Sequence, residues 1–212
     1  MGEPARLRVA ALVGSSRDGR LTLTRWQADV LEALAEGGDA EVVAVVADRG
    51  RRPSPPRGRR FGWRLYNNRW VARRARSIRR VDADRLLAGV PVIDVEPIIT
   101  DRWSQRVPAD ALAVLATLDL DVMLRFGFGI LRGEVLDVPR YGVWSFHHDD
   151  ERVIRGGPPS FWEVHDGLAT TGVLLQRLTD RLDGGVPLAR ATFRTVGHSY
   201  PRNRDRAAFG AA

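Results

Sequence analysis

The stretch LRVAALVGSSRDGRLTLTRWQADVLEALAEGGDAEVVAVVA, residues 7–47, decides the fold class. It opens with an apolar run, Leu7 to Val13, closed by Gly14-Ser15-Ser16-Arg17, as in a buried parallel strand. Thr22 or Thr24 offers an N-cap for a helix running to about Ala35, with Trp26, Val30, Leu31 and Leu34 on one face. Glu41 to Ala47 then returns as a β-branched strand. Strand, helix and strand in this order make a βαβ unit, which favours a parallel sheet. The expected fold is α/β: a Rossmann-like, mostly parallel sheet flanked by helices.

Further along, the pattern continues to alternate. Val90 to Val95 reads as a strand and Pro108 to Leu118 as a helix with proline near its start. Asp121 to Phe126 is a strand ending at Gly127-Phe128-Gly129, and Val143 to Phe146 a short strand ending in polar residues. Pro158 to Asp166 reads as a short helix and Gly172 to Leu178 as a strand. The chain is expected to be one domain over residues 1–212, with an Arg-rich insertion at 49–80 and a tail from Gly197 to Ala212 read as loop.

Composition excludes several classes. There is no cysteine, so disulfides, thiol nucleophiles and cysteine-held zinc are absent. No apolar run approaches the ~18 residues of a membrane span. Leu7 to Val13 is too short for a signal peptide, so a cytoplasmic protein is expected. The net charge is +7, and every basic residue is arginine. Thirteen arginines lie between Arg49 and Arg80 without one acid, so the rest of the chain is acidic. Arg49 to Arg60 reads as a solvated loop. From Phe61 to Arg80 the pattern turns helical, with Trp63, Tyr66 and Trp70 at i, i+3 and i+7. This segment has three readings: a solvated helix covering the core, a contact for an anionic membrane surface, or a contact for nucleic acid.

Polar residues able to do chemistry cluster late in the sequence. Ser145-Phe146-His147-His148-Asp149-Asp150 closes one strand, Arg155-Gly156-Gly157-Pro158-Pro159 leads into a helix, and Leu182-Asp183-Gly184-Gly185 follows another strand. Ligands of open α/β sheets bind beyond the carboxyl ends of strands, where His147 and Asp183 would sit. A histidine with a carboxylate partner is an acid–base pair; the plainer alternative is a hydrogen-bonded histidine at a strand end. The Gly14-Ser15-Ser16 turn could hold a substrate phosphate, or be structural. His147-His148-Asp149-Asp150 makes no metal site, because sequence neighbours on a strand point to opposite faces and no third ligand is evident. His165 falls on the short helix, at the surface or the substrate rim rather than in catalysis, and His198 in the tail.

The stretch YGVWSFHHDDERVIRGGPPSFWEVHDGLATTGVLLQRLTDRLDGGVPL resembles the core of the folate-dependent formyltransferases. The matching positions are His147, Arg155-Gly156, Thr171-Gly172-Val173 and Leu182-Asp183 with Gly185. The upstream DVMLRFGFGILRGEVLDVPRYG also resembles that family, and the likeness covers roughly Ala109 to Leu188. It implies transfer of a formyl group from 10-formyltetrahydrofolate to an amine. His147 would be the acid–base and oxyanion group and Asp183 its partner, with Ser145 at the third catalytic position. Phe126, Gly127, Phe128, Arg155 and Gly156 would contact the folate. The Ser-Phe-His-His string with a basic helix is similar to a bacterial group of such proteins, some fused to glycosyltransferase-like domains. That likeness implies an amino-sugar acceptor.

One departure sets the alternatives. The family has Asn where this chain has Ser145. Losing one oxyanion donor typically costs ~3 kcal/mol, about 10²–10³ in rate. Either the activity is weak, or His148 or a water fills the gap, or the chemistry has changed. A second hypothesis is therefore a degenerate module that binds a partner without catalysis. A third is a flavodoxin-like FMN reductase, suggested by the Gly-Ser turn alone. The expected partners are a small-molecule amine, an anionic surface or nucleic acid at Arg49–Arg80, and a second copy of the chain.

Overall fold

The computed structural model describes residues 6–16, 19–50, 61–101, 103–154 and 156–212. The first half carries β1 (Leu7–Ser15), β2 (Leu21–Thr24), α1 (Arg25–Gly37) and β3 (Ala40–Asp48). Then come α2 (Phe61–Tyr66), a π-turn (Asn67–Val71), α3 (Ala72–Arg74), β4 (Arg80–Asp82) and α4 (Ala83–Leu86). Next are β5 (Val92–Val95), β6 (Ile98–Ile99), β7 (Ser104–Arg106), α5 (Ala109–Ala116), β8 (Val122–Arg125) and β9 (Ile130–Leu131). After a 3₁₀ turn (Glu134–Leu136) come β10 (Val143–His147), α6 (Trp162–His165), β11 (Thr170–Arg177), β12 (Val186–Arg194) and α7 (Tyr200–Phe209).

The expected α/β fold is present. β1 lies at the centre, parallel to β3 on one side and to β8 on the other. β5 extends the sheet beyond β3, and β10 extends it beyond β8, both parallel. β11 and β12 close the β10 side as an antiparallel pair. The apolar run of β1 follows from burial on both faces. Ala10 and Leu12 pack with Val46, Met123 and Leu115, on the side covered by α5. Ala11 and Val13 pack with Val45 and Leu31, on the side covered by α1. Each such valine or leucine contributes about 1.5–3 kcal/mol when fully buried. At the start of α1 the Thr24 backbone N–H donates to Gln27 Oε1 at 2.8 Å, the side chain three residues on closing back over the first turn.

Three expectations need correction. The Gly14 turn does not lead directly into a helix. Leu21 and Leu23 are buried at alternate positions and form β2, which folds back on Gly14 and Ser15. The basic helical segment ends at Arg74, and Arg80–Asp82 pairs with β2 as β4. The tail is not loop: α7 buries Tyr200, Pro201, Asn203, Ala207 and Ala208. The loop read for Arg49 to Arg60 lies mostly outside the described residues, at 51–60. No helix among the described residues is long and apolar enough to cross a membrane.

Candidate active site

β8 and β10 run parallel, with Ser145 opposite Arg125 in register. Their carboxyl ends therefore bring Arg125, Ser145 and His147 together. Arg125 Nη1 donates to Ser145 Oγ at 2.9 Å, and Arg125 Nε donates to the Gly129 carbonyl at 3.1 Å. Ser145 is 1% exposed. His147, two residues on, shares its face of the sheet.

His147 turns one nitrogen inward. Its Nε2 is buried, accepts or donates no hydrogen bond, and stands 3.9 Å from Asp149 Oδ2. That distance is too long for a hydrogen bond but close for two groups that exchange a proton in a tightened complex. Burial lowers the imidazole below its ordinary value, against the opposing pull of Glu151 and Asp183. Asp149 is 2% exposed and is held by the Ser160 N–H at 2.7 Å. Burial pushes its carboxyl up to about 7. Behind it lies Glu163, 1% exposed, whose carboxyl meets that of Asp149. Burial raises the Glu163 carboxyl too. Two carboxyls facing each other in a dry site hold together only by sharing a proton.

The loop that carries Asp149 is braced from the tail. Asn203, fully buried, donates to the Ser160 carbonyl at 3.1 Å and to Thr171 Oγ1 at 2.9 Å. Its carbonyl oxygen accepts from Val196 N at 2.9 Å.

The remaining sequence candidates divide. Asp183 sits in an exposed turn with φ 54° and acts on His147 as a charge through space. It does not approach within ion-pair distance among the described residues, whereas Asp149 does. His148 turns to the other side, its ring 4.6 Å from Trp26 edge-on, and burial lowers it to about 4. It therefore does not fill the gap beside Ser145. Phe126 and Phe128 are packing residues: Phe126 stacks on Phe146, and Phe128 is 4% exposed in the core. The N–H groups of Phe126 and Gly127 both go to the Leu12 carbonyl, so neither of these two is a spare donor for a folate. Gly156 is exposed, and Arg155 lies outside the described residues. Ser15 Oγ donates to the Asp48 carbonyl and Ser16 Oγ to the Arg20 carbonyl. Among the described residues α1 starts only at Arg25, after β2, so its N-terminus does not open directly from that turn. His165 pairs with Asp166 at the surface.

Sequence reasoning missed Arg125, Asp149 as the near carboxylate, Glu163 and Asn203. Arg125 had a signal: an arginine ending a strand otherwise buried on both faces. The Arg-rich helix packs beside the site. Trp63 meets Phe161 and Tyr200, while Leu65, Tyr66 and Trp70 are exposed. Arg74 stacks on Trp70 at 3.4 Å. A cavity of about 570 Å³ lined by Glu134, Arg140, Arg177 and Asp180 lies at the other end of β10, beside Gly142.

No family model matches the chain. It is 30% identical to the methionyl-tRNA formyltransferase of Bacillus licheniformis over 162 residues, 76% of this chain and 43% of that protein. The Bacillus subtilis enzyme is 30% identical over 157 residues, 74% of this chain and 41% of that protein. Over about three quarters of its length the chain is thus similar in sequence to formyltransferases. It spans less than half the length of these curated relatives. Glycinamide ribonucleotide transformylase 1 of Geobacillus kaustophilus superposes with a TM-score of 0.61 at 18% identity, over 98% of this chain and 93% of that one. A formyltetrahydrofolate deformylase of Pseudomonas syringae gives 0.59 at 14% identity, over 98% of this chain and 57% of that one. These likenesses establish the formyltransferase fold. On that fold Ser145 lies at the carboxyl end of β10 with the Arg125 guanidinium bonded to it.

Proposed function

We propose that the protein transfers a formyl group from 10-formyltetrahydrofolate to the amine of a small sugar or phosphorylated substrate. The observation that carries this reading is His147, at the carboxyl end of a parallel strand pair, with a buried carboxylate behind its inward nitrogen. An acid–base group is what formyl transfer asks for, because the attacking amine must lose a proton and the departing nitrogen gain one. Asp183 adds negative charge at the rim, favouring a protonated His147.

The test is calorimetric titration with a stable 10-formyltetrahydrofolate analogue, followed by turnover with amino sugars, their phosphates and nucleotide-linked amino sugars. Micromolar binding that weakens in Asp183→Asn, with turnover on one acceptor class, supports the reading. No binding at millimolar ligand supports the second reading, a non-catalytic module, for which Ser145 in place of asparagine is the favouring observation.

The exposed Leu65, Tyr66 and Trp70 among arginines support an anionic lipid surface as partner of the helix over nucleic acid. Three apolar side chains gain from insertion into a headgroup layer, whereas phosphate contacts alone do not require them. Sedimentation with phosphatidylserine vesicles, against RNA competition, separates the two.

A further inference from the structure

We propose that Arg125, not Ser145, supplies the donor that stabilises the oxyanion at the formyl carbon, and that Ser145 anchors its guanidinium. This rests on the formyl-transfer reading above and deepens it. In that reaction the amine lone pair forms the new C–N bond, and the carbonyl π pair moves onto oxygen. The amine proton passes to His147. The oxyanion then collapses, the C–N bond to the folate breaks, and the departing nitrogen takes its proton from His147. The negative charge therefore develops on the face of the sheet that His147 occupies.

Arg125 is placed there by register. It lies opposite Ser145 across the parallel pair, and the two side chains are bonded at 2.9 Å. Ser145 is 1% exposed and has one short hydroxyl, which limits its own reach. His148 points to the opposite side, against Trp26. The guanidinium is held in orientation twice over, by Ser145 Oγ and by the Gly129 carbonyl at 3.1 Å. Gly129 is itself fixed, its N–H donating to Oε1 of Gln105, which is 3% exposed. There is no room for a side chain at 129, because a Cβ would overlap the Trp103 carbonyl. A permanently charged planar donor held by bonds already made in the free protein needs no rearrangement when charge appears. That is the condition under which an oxyanion donor is most effective.

The experiment measures release of tetrahydrofolate from 10-formyltetrahydrofolate, with water and with amino-sugar phosphates as acceptors. It compares wild type, Arg125→Ala, Arg125→Gln and Ser145→Ala, alongside calorimetric binding of the stable analogue. The expected result is a loss of about 10²–10³ in kcat for Arg125→Ala and Arg125→Gln. Analogue affinity stays within about threefold, because ground-state binding does not use the oxyanion donor. Ser145→Ala loses less than either. Millimolar guanidinium restores part of the Arg125→Ala rate, and adding Ser145→Asn to Arg125→Ala does the same with a carboxamide. A merely structural arginine would give neither rescue. Arg125→Gln is near in size and keeps a bond to Ser145, so it serves where the alanine variant fails to fold. Turnover within about threefold of wild type in a folded Arg125 variant overturns the assignment alone. No turnover in the wild type with any acceptor overturns the functional reading, and the role of Arg125 with it.

Discussion

Asp149 Oδ2 stands 3.9 Å from Nε2 of His147, on the buried side of the ring. A carboxylate there raises the basicity of the imidazole, and a protonated one does not. With the Asp149 carboxyl pushed up to about 7 by burial, this support switches on as pH rises through neutrality. Asp149→Asn is expected to lower kcat/KM by about 10- to 100-fold, part of the ~10²–10⁴ that a positioned acid–base supplies. It should also erase a rising limb near pH 7. The check is a pH–rate profile of both proteins, with His147 titrated by NMR. A limb that persists in the variant assigns it to another group.

Asp183 makes the complementary case. It is exposed, and its φ of 54° lies in the left-handed region. Asparagine tolerates that region and matches aspartate in shape, so Asp183→Asn removes the charge while sparing the backbone. Formyl transfer should be lost with the melting temperature unchanged within about 2 °C, as for surface substitutions. Full activity in the variant would leave Asp149 as the carboxylate that serves His147.

Two buried groups give stability opposite pH slopes. Asp149 goes from an ordinary 3.8 to about 7 on folding, so the folded state holds its proton more tightly. Its contribution is present at low pH and is lost as pH rises from about 4 to about 7. His148 goes from 6.5 to about 4, so the unfolded state holds the proton more tightly. Its contribution is present above pH 6.5 and is lost as pH falls toward 4. Each slope approaches about 1.4 kcal/mol per pH unit inside its window, and in the wild type they oppose each other. His148→Phe should expose a stability that falls from pH 4 to 7. Asp149→Asn should expose one that rises from pH 4 to 6.5. Urea midpoints at half-unit pH intervals test this; parallel curves in the three proteins would exclude it.

What could be read from the sequence follows what generates a local pattern. β1 and β3 are buried on both faces, so they announce themselves as continuous apolar runs, and α1 does so through its one-sided leucines and valines. β2 is four residues long, LTLT, and was hidden inside the stretch read as the helix N-terminus, because only Leu21 and Leu23 mark its period of two. α7 carries few apolar residues: it is held by Tyr200, small alanines and Asn203, none of which makes a hydrophobic stripe. In the site, His147 was legible from its motif. The approach of Asp149 depends on a loop that returns through Ser160, and Arg125 depends on register between strands twenty residues apart. Neither leaves a spacing in the chain.

Asn203 ties that loop to the tail, so it tests whether the tail positions the site. Asn203→Ala leaves the Val196 N–H and the Ser160 carbonyl without their partner in a buried region. Unsatisfied buried groups cost ~1–3 kcal/mol each, so a loss of about 3 kcal/mol and a fall in melting temperature of roughly 10 °C are expected. Turnover should fall too at temperatures where the variant is fully folded, because Ser160 holds Asp149. Unchanged turnover in the folded variant would make Asn203 a purely structural clamp.

Gly127 and Gly14 are expected to differ sharply, although both close a strand of the same sheet. A Cβ at Gly127 would overlap the backbone of Val13 and Gly14, which is fixed in the centre of the sheet and cannot swing aside. A Cβ at Gly14 would meet only the Thr22 hydroxyl at 3.2 Å, an atom that rotates on its own side chain. Overpacking against rigid structure costs ~1–3 kcal/mol and sometimes more. Gly127→Ala should therefore lose about 3 kcal/mol and displace the Arg125 end of β8, lowering turnover as well. Gly14→Ala should lose less than about 1 kcal/mol and keep its turnover. Denaturant midpoints and initial rates on the two variants decide it. A Gly14 variant as damaged as the Gly127 variant would place a requirement on the first turn itself, and a ligand there would then have to be sought.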